Sequence, residues 1–234
     1  YTEANLRGFV DDSRERLGVE TLDLLQLHCP PTDAYYRPET FNALETLKQE
    51  DRIASYGVSV ERVEEALKAI EYPGVETVQL IFNPFRQRPR ETFFREAAAR
   101  NVGVIVRVPL ASGLLTGALS ADTEFPENDH RNFNRDGAAF DVGETFAGVP
   151  YEDGLDAVEA IEPLVPAGQS MAQFTLRWIL DHDAVSTVIP GSSTPEHIRD
   201  NVASADLPRL SAERHAAVCE VYDETVREHV HHRW

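Results

Sequence analysis

The sequence predicts an α/β fold in which helices cover a parallel β-sheet. Short apolar runs alternate along the chain with segments whose apolar residues recur at helical spacing. Strands that are separated by helices pair in parallel through right-handed crossovers. The 234 residues are enough for one domain with a sizeable core, so we expect residues 1–234 to form a single domain.

Five apolar runs mark the expected strands, at residues 21–29, 54–60, 77–83, 103–110 and 186–191. Helical patterns surround them, at residues 3–17, 38–52, 61–72, 90–101, 154–165, 171–182, 195–205 and 212–230. The spacing in the first of these predicts one common side for Leu6, Phe9, Val10, Ser13 and Leu17. Residues 111–153, which are rich in Asn, Asp, Gly and Pro, are expected to be irregular. This alternation is compatible with a doubly wound sheet or with a barrel, although no strand is followed by the G-x-G-x-x-G pattern of dinucleotide-binding sheets.

The composition restricts the partners of the protein. The net charge is −18, from 40 acidic and 22 basic residues, and only Lys48 and Lys68 are lysines. A nucleic-acid partner is not expected, because a phosphate backbone requires clustered positive charge. An acidic, lysine-poor surface is instead favoured in a high-salt cytoplasm, where salt screens the repulsion between carboxylates. We therefore expect a halophilic protein, with a merely acidic protein as the alternative.

The sequence carries no signal for a membrane or for a metal. No apolar run approaches the ~18 residues of a membrane span, and no signal peptide opens the chain, so we expect a cytoplasmic protein without a membrane partner. Cys29 and Cys219 lie in no metal-ligand spacing, and we predict no metal site.

Polar residues stand at the ends of the predicted strands. Catalytic side chains in a (β/α) barrel cluster at the carboxyl ends of its strands. A strand that only packs would carry Val or Ile there, so we expect these positions to line one pocket. They are His28, Ser59, Gln79 with Asn83, Arg107, and Gly191 with Ser192.

Five segments resemble, in order and spacing, the second part of aldo/keto reductases. They are LDLLQLHCPP, ASYGVSV, VQLIFNPF, VPLASGLLTG and VIPGSSTPEHIRDN, and the resemblance extends from about residue 2 to residue 230. It implies a TIM (β/α)8 barrel that binds NAD(P)H without a Rossmann fold and uses an Asp, Tyr, Lys and His tetrad. His28 matches the histidine of that tetrad, which would donate a hydrogen bond to a substrate carbonyl.

The same resemblance assigns cofactor contacts. Ser59 and Gln79 match residues that hold the nicotinamide carboxamide. Arg107 stands where many members have an aromatic residue against the nicotinamide; its planar guanidinium can also stack, and a salt bridge to a carboxylate at the barrel mouth is the alternative. The loop that closes over the pyrophosphate is matched by Leu110, Ser112 and Gly113.

The segment after the last strand has the pattern of a helix start, with a Gly turn, hydroxyl residues and Pro195. A helix N-terminus can bind an anion, and a plain capped helix is equally consistent with this pattern. The resemblance implies an adenosine phosphate beside Gly191, Ser192 and His197, and adenine beside Asp200 and Asn201. NADP is therefore the expected cofactor, with NAD as an alternative because Gly191 and His197 replace basic residues of some members.

The strand count and the tetrad lead to a further expectation. A full barrel has eight strands and ~250 residues, whereas five strands are predicted here. The resemblance begins after the third barrel strand, and Tyr35, Tyr36 and Tyr56 do not lie in the strand-end context of a tetrad tyrosine. We expect an incomplete barrel that lacks its N-terminal portion and is inactive alone.

Three functions are compatible with these observations. The first is NAD(P)H-dependent reduction of small aldehydes and ketones. The second is a non-catalytic module of the same fold that binds a nucleotide or a partner. The third is another TIM-barrel enzyme, such as an aldolase or an isomerase, which would not bind nicotinamide. The sequence indicates neither the substrate nor the oligomeric state.

Overall fold

The computed structural model describes residues 1–234 and contains the five predicted strands. They are β1 (Leu22–His28), β2 (Ile53–Ser59), β3 (Val75–Ile81), β4 (Gly103–Arg107) and β5 (Val185–Val188). The sheet has the order β1-β2-β3-β4-β5, and β2 pairs in parallel with both β1 and β3. The prediction of an α/β fold on a parallel sheet is confirmed, while the assignment of these strands to an incomplete (β/α)8 barrel stays a prediction.

Ten α-helices are present, and the longer ones follow the predicted order. They are α1 (Glu3–Leu17), α2 (Pro38–Gln49), α3 (Val63–Ala69), α4 (Phe93–Ala99), α5 (His130–Phe133), α6 (Tyr151–Ile161), α7 (Met171–Leu180), α8 (Pro195–Ala203), α9 (Ala212–Val221) and α10 (Arg227–Val230). The predicted helix 212–230 is interrupted by a π-helical turn at Tyr222–Val226, whose wider turn keeps both named residues buried. None of the helices has the length and apolar character that crossing a bilayer requires.

The chain divides into two compact units, and the first comprises residues 1–80 and 93–104. Its helix α1 begins at the cap Thr2 and ends at Gly18, which has a positive φ of 67°. Leu6 and Val10 are buried, but Phe9 and Leu17, predicted for the same apolar side, are 65% and 69% exposed. The buried stripe of α1 is therefore narrower than the sequence predicted.

The second unit comprises residues 81–92 and 105–234. Ser170 and Gln173 form a reciprocal capping box at the start of α7, which buries Phe174 and Trp178.

A buried ionic cluster follows the end of α7. The Asp181 carboxylate accepts hydrogen bonds from Arg177 Nε (3.0 Å), from His215 Nε2 (3.1 Å) and from the Leu210 amide (2.8 Å). These bonds connect α7 to α9 and to the segment that precedes α9.

Candidate active site

The carboxyl ends of three neighbouring strands place three of the predicted site residues in one row. His28 at the end of β1 is in register with Ser59 of β2, and Ser59 is in register with Gln79 of β3. Residues in register on adjacent parallel strands project to the same face of a sheet. The first unit therefore brings these three side chains together.

A second polar row lies two residues earlier on the same strands. Gln26 is in register with Gly57, and Gly57 with Thr77. Gln26 reaches across β2, donating from Nε2 to Thr77 Oγ1 (3.1 Å) and accepting at Oε1 from Gln79 Nε2 (2.8 Å). A side chain at Gly57 would collide with Thr77, so the glycine leaves room for this connection.

Sequence analysis did not identify Gln26, Gly57 or Thr77 as part of the site. The signal that could have found them is the strand period of two residues. Each of the three precedes a predicted site residue of its own strand by two positions, and alternate positions share one face.

A cavity of about 340 Å³ adjoins the first row, and its size suits a small ligand. It lies within the first unit between α1 and β1, where Gln26 and His28 provide much of its polar lining. The cavity is lined by Tyr1, Asn5, Leu6, Phe9, Leu25, Gln26, Leu27 and His28.

In the second unit, Arg107 ends β4 and forms an ion pair with Glu144. This pairing with a carboxylate is the alternative that the sequence left open for Arg107. The Ser112 hydroxyl donates to the Glu144 carbonyl (3.1 Å) and accepts from the Phe146 amide (3.1 Å). Segment 144–146 therefore holds both Arg107 and Ser112.

The loop after β4 is a tight turn. The Leu110 carbonyl accepts from the Gly113 amide (2.9 Å), and Ser112 and Gly113 have φ values of 54° and 103°. Strand β4 ends before the predicted residue 110, because Val108 also has a positive φ, of 50°. Leu110 thus lies in the loop and not at a strand end.

The start of α8 is built as the sequence predicted. Thr194 is the N-cap, with its hydroxyl accepting from the His197 amide (3.2 Å), and Pro195 is the first helical residue. Gly191, Ser192, His197 and Asp200 are exposed, and Asn201 is half-buried. These side chains are accessible to a ligand at the surface of the second unit.

The family model of the aldo/keto reductase family matches residues 1–223 of the chain. The protein belongs to the aldo/keto reductase family. Membership excludes an aldolase or isomerase of another TIM-barrel family, the third function considered above.

Similar proteins support the same assignment. The chain is 28% identical over 214 residues to the uncharacterized oxidoreductase YqkF of Bacillus subtilis, covering 91% of this chain and 64% of that protein. It is 25% identical over 211 residues to the NADH-specific methylglyoxal reductase of Escherichia coli, covering 87% and 60%. The chain thus spans less than two thirds of the length of these relatives.

A solved structure has the same fold. The glycerol dehydrogenase AKR11B4 from Gluconobacter oxydans superposes with a TM-score of 0.77 at 29% identity, covering 96% of this chain and 65% of that one.

Two tyrosines in the first unit of this aldo/keto reductase donate hydrogen bonds from their hydroxyl groups. The Tyr35 hydroxyl donates to the Ser59 carbonyl (3.2 Å), and the Tyr56 hydroxyl donates to Glu45 (2.7 Å). Burial, together with the nearby Glu65 carboxylate for Tyr35 and Glu45 for Tyr56, raises the pKa of both phenols. Both groups therefore hold their protons more tightly than a free phenol.

Proposed function

We propose that the protein reduces aldehyde or ketone groups of small molecules to alcohols with NAD(P)H as the hydride donor. The observation that carries this proposal is the row of His28, Ser59 and Gln79 across β1, β2 and β3. It combines one hydrogen-bond donor for a carbonyl with two groups suited to an amide, in a chain of the aldo/keto reductase family.

The nicotinamide cofactor fits the polar groups of the first unit. A carboxamide needs both a donor and an acceptor, and the Ser59 hydroxyl and the Gln79 amide supply both in adjacent register. Because Gln79 Nε2 already donates to Gln26, Gln79 Oε1 is the atom left to accept from a carboxamide. Ser59 is buried, and its hydroxyl lies 3.5 Å from the Cys29 thiol, a weak hydrogen-bonding group that a carboxamide would supplement.

His28 would act on the substrate. The bound nicotinamide supplies the hydride that reduces the carbonyl carbon. An imidazole N–H of His28 would donate a hydrogen bond to the carbonyl oxygen, where negative charge accumulates during reduction. The His28 side chain is exposed and much of the adjoining cavity wall is apolar, so a substrate bound there would displace water from around this hydrogen bond and strengthen it.

The family resemblance assigns the remaining cofactor contacts. We propose Arg107 for the nicotinamide ring, with Leu110, Ser112 and Gly113 for the pyrophosphate. The start of α8 would bind the adenosine portion through Gly191, Ser192, His197, Asp200 and Asn201. NADP is the proposed cofactor, and NAD is the alternative because neither Gly191 nor His197 is a lysine or an arginine.

Equilibrium binding and turnover test this function. We expect NADPH to bind with its nicotinamide fluorescence perturbed. Because the Asp, Tyr and Lys of the tetrad have no assigned match among residues 1–234, we expect NADPH consumption with a panel of aldehydes and ketones only from protein that also carries those residues, and none from residues 1–234 alone. NADH is titrated in parallel, since a relative from Escherichia coli is NADH-specific by name. A protein that binds neither dinucleotide does not have the proposed function.

Ser192→Asp is expected to discriminate between the two dinucleotides. A carboxylate near a 2′-phosphate repels it, so the Kd for NADPH should rise by about tenfold, or roughly 1.4 kcal/mol, and the Kd for NADH by much less. Ser120→Asp is the matched control, because it adds the same charge at an exposed position outside the proposed contacts. Equal losses for both dinucleotides would place the phosphate elsewhere.

Stability is expected to increase with salt. The net charge of −18 leaves many carboxylates without a cationic partner, and their repulsion destabilises the folded state. Raising NaCl from ~0.1 M to ~1 M shortens the Debye length from ~10 Å to ~3 Å. We therefore expect the melting temperature, measured by circular dichroism, to rise across this range. A constant or falling value would contradict adaptation to high salt.

A further inference from the structure

Trp234 is buried among residues that are distant in sequence, within the second unit. It is 3% exposed, and its indole lies over the Arg86 guanidinium, 4.1 Å from the ring centroid. Its Nε1 donates to Asp141 Oδ1 (3.0 Å), and its carbonyl accepts from Arg88 Nη1 (2.7 Å). These contacts hold Trp234 in place within the second unit.

The 141–148 loop is shaped around this indole. A Cβ atom at Gly148 would lie 2.6 Å from Trp234 Cη2, and one at Gly143 would lie 3.0 Å from Cε2. Such separations are shorter than van der Waals contact, so both positions require glycine while the ring is in place. The backbone of the loop therefore packs closely against the indole at these two positions.

The middle of this loop has a conformation that needs support. Phe146 and Ala147 have φ values of 52° and 58°, in the left-handed region that residues with a Cβ rarely adopt. Arg86, which stacks on Trp234, donates from Nη1 to the Ala147 carbonyl (3.1 Å). Loss of the indole would remove a neighbour of both Arg86 and Gly148, and the strained segment could relax.

Segment 144–146 holds two of the proposed cofactor residues. Glu144 pairs with Arg107, and the Glu144 carbonyl and the Phe146 amide both bond the Ser112 hydroxyl. The indole can therefore influence Arg107 and Ser112 through this loop.

We propose that Trp234 is a positioning residue for cofactor binding, which fixes Arg107 and Ser112 by holding the 141–148 loop. This inference rests on the proposed function for the roles of Arg107 and Ser112. The coupling between Trp234 and the loop does not, and it can be measured without any cofactor.

The experiment combines hydrogen exchange of the free 234-residue chain with NADPH titration. In Trp234→Ala we expect the amides of residues 141–148 to exchange at least about tenfold faster, and the Kd for NADPH to rise by about tenfold. Gly148→Ala should act in the same direction, since its Cβ displaces the indole without removing it. Trp234→Phe, which keeps a ring but loses the bond to Asp141, should give an intermediate Kd.

Val218→Ala is the control. It removes part of a buried side chain from α9, and it should lower the melting temperature without changing either the exchange of residues 141–148 or the Kd.

The outcomes separate the two proposals. Unchanged exchange at residues 141–148 in Trp234→Ala overturns the positioning role, and so does faster exchange with an unchanged Kd. If the wild-type chain binds no dinucleotide, the proposed function is wrong even when exchange is faster in Trp234→Ala. The role of Trp234 in cofactor binding is then overturned as well. A Kd that rises equally in Val218→Ala shows a general loss of stability and also overturns the positioning role.

Discussion

Replacing Asp181 by alanine is expected to lower the free energy of unfolding by about 3 to 5 kcal/mol. The Asp181 side chain is 3% exposed and that of Arg177 is 9% exposed, so the substitution leaves a buried guanidinium without its counter-charge. It also removes the acceptor of the Leu210 amide (2.8 Å) and of His215 (3.1 Å). Thermal and urea unfolding measure the loss, which corresponds to a decrease in Tm of about 10 °C for a chain of this size.

Asp183→Ala is the matched control for this substitution. Asp183 lies two residues away and pairs with Arg209 at 2.6 Å, but its side chain is 84% exposed. Exposed ion pairs contribute little because water screens both charges, so we expect a change within about 0.5 kcal/mol. Similar losses for Asp181→Ala and Asp183→Ala would show that the buried cluster does not hold α7 and α9 together.

His28→Leu is expected to lower kcat for carbonyl reduction by about 10² to 10³-fold, the usual effect of removing one donor from a developing oxyanion. The Kd for NADPH should change by less than about twofold, because His28 is assigned to the substrate and not to the cofactor. The kcat values of wild type and His28→Leu are compared in protein that has measurable turnover. The family resemblance implies an Asp, a Tyr and a Lys that have no assigned match among residues 1–234.

Asp23→Asn provides the control for His28→Leu. Asp23 is exposed and lies on the same strand, five residues before His28, so its side chain projects to the other face of β1. It should leave kcat unchanged. A weakened Kd for NADPH in His28→Leu, with kcat intact, would assign His28 to cofactor binding.

The strands could be predicted because buried parallel strands are short apolar runs whose signal is local. Their ends were less predictable. Strand β4 stops at Arg107 because Val108 adopts a left-handed conformation, which depends on surrounding contacts and not on the residue type. Similarly, the helical spacing of α1 does not reveal that Phe9 is exposed, since burial depends on what packs against the helix.

The candidate site, like the fold, could be predicted only in part. His28, Ser59 and Gln79 were found as polar interruptions of apolar strands, but their alignment in one row depends on register. That register includes a shift between Tyr56 and Gly57, which no local pattern indicates. Arg107 pairs with Glu144, which lies 37 positions later in the sequence. The segment between them is irregular and has no periodicity that would predict its path. The sequence could therefore indicate a carboxylate partner for Arg107 only as an alternative.

Gly57 also bears on how this protein can be stabilised by design. Replacing glycine by alanine commonly stabilises a fold, because it reduces the conformational freedom of the unfolded chain. That route is open at Gly8, which lies inside α1 with no atom near the position of a Cβ. It is closed at Gly57, where an added methyl group would meet Thr77 and disrupt the hydrogen bonds that orient Gln79. Gly57 must therefore be kept to preserve the polar face of β2, although a glycine leaves the centre of the strand more flexible. Substitutions that stabilise the protein have to be made at other positions.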